Sequence, residues 1–379
     1  MEGGCRAISR GTGFCFPRAL GLAVLAQPPP SPSLLPSPSA PMRVRLFLIA
    51  MLTTPATAAS ASRFSGVVDS HVHVWGSGEA PFAYASSSPL PPADLANTSG
   101  TESLLRQLNA AGAKGALIVQ PIQYKYDHSF VACALSEHPG RLKGMALLDP
   151  MAGPEYLPAL KAQGFIGVRF NPALWPQAAS AYPLLPGELG LERMSDERGA
   201  RLFAQCGELG LPVGVMCFDG LHRHHDDIVN LLQRHRQTRL IIDHWGFFHQ
   251  GGEDNEEAFR CLLALAAFPQ VCVKVSAAFR NAPPGSLLAA RLRPRFLALL
   301  EAYSPSRLLW GSDWPFVTAA TAATASASIV PSGSTAAAPE SPYLDALALV
   351  REWGGAQLDE AGAQRVLAGT AEELFGPWP

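Results

Sequence analysis

Two histidines one residue apart, in the run Asp69-Ser70-His71-Val72-His73-Val74-Trp75, are the first side chains placed to do chemistry together. Successive side chains on a strand alternate faces, so Asp69, His71 and His73 are expected on one side. Both imidazoles can then converge on one metal ion or one substrate oxygen. A lone histidine on an apolar strand is ordinarily structural, but a pair beside other polar strand ends is harder to explain that way. Those other ends are Asp243-His244-Trp245-Gly246 and Trp310-Gly311-Ser312-Asp313-Trp314-Pro315. A third histidine and a terminal aspartate thereby join the pair.

These residues need a scaffold that brings distant strand ends to one rim. From residue 67 onward the chain repeats a short apolar or β-branched run followed by an amphipathic stretch. Eight strands are expected, over 67–71, 116–121, 142–148, 165–171, 212–217, 240–244, 271–276 and 308–313. Ser99-Gly100-Thr101-Glu102 reads as a capping box, Ser195-Asp196-Glu197 opens a helix that runs to Leu209, and Gly112, Gly164 and Gly210 end helices. Eight βα units in about 310 residues is the size of an α/β (β/α)8 TIM barrel, whose catalytic groups come from the C-terminal ends of several strands. A doubly wound sheet is disfavoured because no glycine-rich fingerprint follows the first strand. Two stretches break the rhythm: 176–192, a candidate lid, and an Ala/Ser/Thr-rich insertion at 319–341, read as a solvated spacer.

Arg169 on the fourth strand and Arg280 after the seventh suit a carboxylate, because guanidinium binds it bidentately. Gln120, Lys274 and Ser276 also occupy late strand positions, although Arg169 and Lys274 could equally pair with neighbouring acids inside the barrel. Five of seven tryptophans (Trp75, Trp175, Trp245, Trp310 and Trp314) fall at strand ends. They suggest a flat wall for a planar ring, with Trp75 and Trp245 as substrate contacts, while Trp310 could instead pack against an outer helix. His222, His224 and His225 read as the polar start of a helix.

At 48% hydrophobic and 16% charged, the 379-residue chain can bury a large core. Its 29 basic and 31 acidic side chains argue against a nucleic-acid partner and leave a small molecule as the expected ligand. Residues 1–62 differ: nine prolines, five arginines, no lysine and one acid. This stretch reads as an addressing leader, with an organellar (plastid or mitochondrial) destination or secretory entry, and an internal start at Met42 would fit a secretory signal. Neither of its apolar runs reaches the ~20 residues of a membrane span. The mature domain is expected over 63–379. Seven cysteines without a CxxC pair read as free thiols, those of the body being buried.

The HxH, DHWG and GSDWP stretches, with Ile118-Val119-Gln120-Pro121, Gly167-Val168-Arg169-Phe170-Asn171 and Val273-Lys274-Val275-Ser276, resemble the amidohydrolase superfamily. The likeness is to its amidohydrolase-related group, which includes pyrone-dicarboxylate lactonases, sugar-lactone hydrolases and zinc-dependent decarboxylases, and it covers 66–376. Metal-dependent members typically carry a histidine at the end of strand five; here that end reads Val215-Met216-Cys217-Phe218-Asp219-Gly220, so a two-metal site is not expected. The resemblance to the lactonase branch implies that Asp313 acts as general base on water while His71, His73 and His244 donate to the carbonyl that becomes an oxyanion. An aspartate is a weak base at pH 7, so desolvation or loss of a cation must raise its basicity. The expected activity is hydrolysis of a lactone or other cyclic or activated ester of a carboxylated small molecule, with no obligatory cofactor. The alternatives are a hydrolase or decarboxylase with one divalent metal, zinc or manganese, on His71, His73 and Asp313, and a non-catalytic binding barrel.

Overall fold

The computed structural model describes residues 66–175, 193–249, 255–282, 288–318 and 341–379. The leader (1–62), the candidate lid (176–192) and nearly all of the expected spacer (319–340) lie outside the described residues.

Eight parallel strands form one sheet in sequence order: β1 (Val68–Val72), β2 (Gly115–Val119), β3 (Leu142–Leu147), β4 (Phe165–Phe170), β5 (Val213–Val215), β6 (Leu240–Ile242), β7 (Val271–Ser276) and β8 (Leu308–Gly311). β8 returns beside β1 through a parallel bridge between Val72 and Trp314, which makes the sheet a (β/α)8 TIM barrel. The strands read as nearly continuous apolar runs because both of their faces are covered. Helices alternate with them: α1 (Thr101–Ala111), α2 (Ser129–Glu137), α3 (Tyr156–Ala162), α4 (Glu197–Leu209), α5 (His225–Arg234), α6 (Glu256–Ala264), α7 (Leu288–Tyr303) and α8 (Pro342–Gly354). The short α9 (Glu360–Gln364) and α10 (Thr370–Phe375) close the chain. No helix among the described residues is long and apolar enough to cross a membrane.

Outward side chains such as Val72, Ile118 and Val273 pack against the helices in one large core. Inward ones, Val68, Leu117, Met145, Ile241, Cys272 and Leu309, form a second core that Ala371, Phe375 and Trp378 cover. The C-terminal segment is held there by Lys143 of β3, whose ammonium donates to the carbonyls of Phe375, Gly376 and Pro377 and sits 4.1 Å over the Trp378 ring.

Local sequence reading fails in three places. Ser99 does not form a capping box: Gly100 is the residue at the cap, and the Ser99 hydroxyl donates back to Leu95 O instead. Asp69 does not share a side with His71 and His73, because the β1–β2 register shifts between Asp69 and Val72 and breaks strict alternation. Its carboxylate accepts from the backbone N–H groups of His71 and Ser312, and burial raises its pKa to about 6. Of the five described cysteines, all free, Cys206, Cys217 and Cys272 are buried, whereas Cys133 and Cys261 are half-buried.

Candidate active site

The polar strand ends meet at the C-terminal rim. His71 lies in β1 and His73 just beyond it; His244 follows β6, Lys274 and Ser276 belong to β7, and Asp313 comes two residues after β8. The β1–β8 seam is tied by Asp313 N–H donating to His71 O at 2.9 Å and His73 N–H donating to Trp314 O at 2.7 Å. Gly311 is needed at this seam, since a Cβ there would stand 2.8 Å from His71 Cβ. Asp313 (φ 61°) and His244 (φ 50°) both adopt left-handed backbone, which turns their side chains in at the strand ends and costs on the order of 1–3 kcal/mol each.

Three imidazoles face one carboxylate oxygen. Asp313 Oδ1 lies 3.4 Å from His73 Nε2 and 3.9 Å from Nε2 of both His71 and His244. The second oxygen, Oδ2, accepts from Arg280 Nε at 2.7 Å. His73 Nδ1 lies 2.8 Å from Val119 O, and a carbonyl only accepts, so Nδ1 carries the proton. In its uncharged form His73 therefore presents a lone pair at Nε2, where an N–H donor to an oxyanion was expected. His244 Nδ1 meets Ser276 Oγ at 2.8 Å, and Asn281 Nδ2 donates to His244 O, so the ring and its backbone are both anchored.

A buried charge cluster underlies these groups. Asp243 lies 3.3 Å from Lys274 Nζ, 3.6 Å from His71 Nδ1 and 3.9 Å from Arg169. Burial alone would raise its pKa, but the Lys274 ammonium outweighs that and holds it well below the usual carboxylate range. Burial likewise works against ionisation of Asp313, yet the Arg280 guanidinium beside it holds its pKa well down. Asp313 is thus an ion-paired and weakly basic carboxylate in this geometry. His71 and His244 are kept neutral by burial, His244 with its pKa lowered to about 4. Arg169 and Lys274 lie beside Asp243 and Arg280 beside Asp313, and Arg280, 26% exposed, is the cation of the three that reaches solvent.

One ring nitrogen each of His71 and His73 and a carboxylate oxygen of Asp313 all lie within 4.8 Å of one another. His71 Nε2 and Asp313 Oδ1 are buried without a hydrogen-bond partner, and His73 Nε2 bears a lone pair, a grouping that fits one divalent ion when His71 Nε2 also carries a lone pair. At strand five, where metal-dependent relatives place a histidine, Cys217 is buried and its thiol pKa is pushed well above 9, so it stays protonated.

Several other residues singled out from the sequence lie elsewhere. The Gln120 amide nitrogen donates to Lys125 O and Asp127 O and ties down the loop after β2, while its Oε1 has no hydrogen-bond partner. Trp245 points outward to Phe296 and Trp353, Trp310 donates to Ala346 O of α8, and Trp175 packs on Phe170. Trp75 is buried in a cluster with Leu95 and Tyr124. The expected tryptophan wall is replaced by phenylalanines: Phe316 edge-on to His73 and under Arg280, and Phe247 edge-on to His244 with Phe218 beyond it. Phe316 follows the GSDWP run directly, and Phe247 the DHWG run. Arg169 remains buried at the site with Nε unpartnered. His222 contacts Asn255 and His224 pairs with Asp219, on the turn and helix start expected of them.

The model of the family described as Amidohydrolase matches residues 68–376. A 4-sulfomuconolactone hydrolase of Rhizobium radiobacter is 31% identical over 251 residues, 66% of this chain and 76% of that protein. A 4-sulfomuconolactone hydrolase of Hydrogenophaga intermedia is 28% identical over 255 residues, 66% of this chain and 75% of that protein. Among solved structures, an amidohydrolase of Burkholderia multivorans with bound zinc superposes with a TM-score of 0.61 at 21% identity, over 83% of this chain and all of that one.

Proposed function

The chain belongs to the amidohydrolase family, matched over residues 68–376, and from that premise we propose that it hydrolyses a lactone or other cyclic or activated ester of a small anionic molecule. It is a hydrolase, and the similar 4-sulfomuconolactone hydrolases favour a ring ester that carries a carboxylate or sulfonate. One observation carries the reading: three imidazole Nε2 atoms surround Asp313 Oδ1 while an accessible arginine holds Oδ2.

In this reading Asp313 Oδ1 and the His73 lone pair accept hydrogen bonds from the attacking water; Asp313 takes its proton as the oxygen adds to the carbonyl carbon, and returns it to the ring oxygen as the ester C–O bond breaks. His71 donates from Nε2 to the ester carbonyl, with His244 beside it where oxyanion charge develops. Phe316 and Phe247 bound the site on its apolar side. Arg280, the accessible cation, receives the substrate anion, with Arg169 beneath. An anion that shares Arg280 loosens its hold on Oδ2 and raises the basicity of Asp313 as the substrate arrives.

A second reading has its own support in the grouping of His71, His73 and Asp313. These residues would hold one divalent ion, which when bound would polarise the carbonyl as a Lewis acid. The test is turnover of a panel of carboxylated and sulfonated lactones by the purified chain, before and after chelation, with elemental analysis. Turnover that survives chelation is expected. Turnover abolished by chelator and restored by zinc or manganese would replace the metal-free mechanism with the second reading.

A further inference from the structure

Lys274 is fully buried on β7, with its ammonium between groups from two other strands. Nζ lies 3.2 Å from His71 Nδ1 in hydrogen-bonding geometry and 3.3 Å from Asp243 Oδ1. An ammonium has three N–H donors and no lone pair, so Nδ1 must be the acceptor. A neutral imidazole that accepts at Nδ1 carries its proton on Nε2. That Nε2 is the atom facing Asp313, and it is without a hydrogen-bond partner. The competing arrangement, Nδ1–H donating to Asp243, spans 3.6 Å, and neither Asp243 oxygen is in a hydrogen bond of good geometry. His73 is held the opposite way by Val119 O. The two histidines of one His-x-His pair therefore present unlike groups to the site: an N–H from His71 and a lone pair from His73.

We propose that Lys274 is a positioning residue that, by donating to His71 Nδ1, makes His71 a hydrogen-bond donor to the reacting carbonyl and keeps it from serving as a metal ligand. The carbonyl role rests on the hydrolytic reading above; the proton's position and the opposition to metal do not. A metal ligand needs its lone pair on Nε2, which this lysine denies to His71. A fixed ammonium behind the ring also repels a divalent cation. Without the lysine, Asp243 is the acceptor left for Nδ1–H, which yields the carboxylate–histidine pair that supports metal-bound imidazoles. Lys274 thus selects between two chemistries at a site whose other atoms suit either.

The test uses the full chain with 15N-labelled histidine, the His71 resonances being assigned from a His71→Gln variant. The wild type should show His71 protonated at Nε2, and Lys274→Met should move the proton to Nδ1. Zinc titrated calorimetrically should bind Lys274→Met at least about 10-fold more tightly than wild type, the scale of outer-sphere effects on metal affinity. Lys274→Arg, which keeps a donor, should match wild type. In chelator, kcat of Lys274→Met should fall about 10²-fold with KM within a few-fold, as for a lost oxyanion donor. Wild-type His71 protonated at Nδ1, or zinc affinity unchanged in Lys274→Met, would overturn the proposal. Should Lys274→Met not fold, the wild-type spectrum decides alone. Absence of turnover on every lactone alongside the expected tautomer and zinc results would count against the hydrolytic reading, while the assignment of Lys274 would stand.

Discussion

Arg280 Nε donates to Asp313 Oδ2 at 2.7 Å, so the carboxylate proposed as the general base is paired with the most exposed cation of the site. Replacing Arg280 by Met removes the main influence that depresses the Asp313 pKa and leaves burial to raise it. The acid limb of the kcat/KM profile should move to higher pH by one unit or more, and KM for an anionic lactone should rise about 10-fold or more. An acid limb that stays in place would show that this ion pair does not govern Asp313 in solution.

Asp313→Asn should lower kcat by about 10² to 10⁴, the usual cost of losing a general base. The amide matches the carboxylate in shape and its oxygen still accepts from Arg280, so thermal unfolding should shift by only a few degrees. Turnover within a few-fold of wild type would end the general-base assignment.

Acid should destabilise the fold through buried histidines. His128, which hydrogen-bonds Leu147 O, has its pKa lowered by burial to about 4, as does His244. Between about 4 and 6.5 the unfolded chain binds the proton and the native one does not, so stability falls as pH drops through that window. The shift corresponds to at most about 3 kcal/mol per histidine. Asp69, raised to about 6, opposes this in part: between 6 and its ordinary 3.8 the native state takes up the proton first. In urea unfolding at pH 7 and pH 4.5, His128→Gln should show a clearly smaller loss of stability than wild type, with neutral-pH activity unchanged. An identical pH slope would mean that His128 titrates normally.

At the other end of the barrel, Lys143→Met should lower unfolding free energy by about 1–3 kcal/mol, because three backbone carbonyls and the Trp378 face lose a shared cation. Turnover should not change, since the clasp closes the mouth opposite the active rim. Urea melts and kcat measured on the same sample check both halves; a loss of turnover without a loss of stability would contradict this placement.

The alternation of strand and helix, the eightfold repeat and the strand-end placement of His71, His73, His244 and Asp313 were legible in the sequence. Each of these depends on local periodicity and on where an apolar run stops. What lies beyond those positions belongs to the closed barrel. The Lys274–His71 bond joins residues 203 apart, and nothing local to either shows that β7 delivers an ammonium to a β1 imidazole. Arg280 was readable as an anion binder, but its grip on Asp313, which decides how basic that carboxylate is, arises only when β7 and β8 lie side by side. Asp69 shows the same limit. A register shift of one residue sends a side chain to the opposite face, and register is set by the neighbouring strand. The residue types named a chemistry of histidines and a carboxylate. Which nitrogen carries the proton, and which cation holds the carboxylate, was settled by contacts that form only across the closed ring.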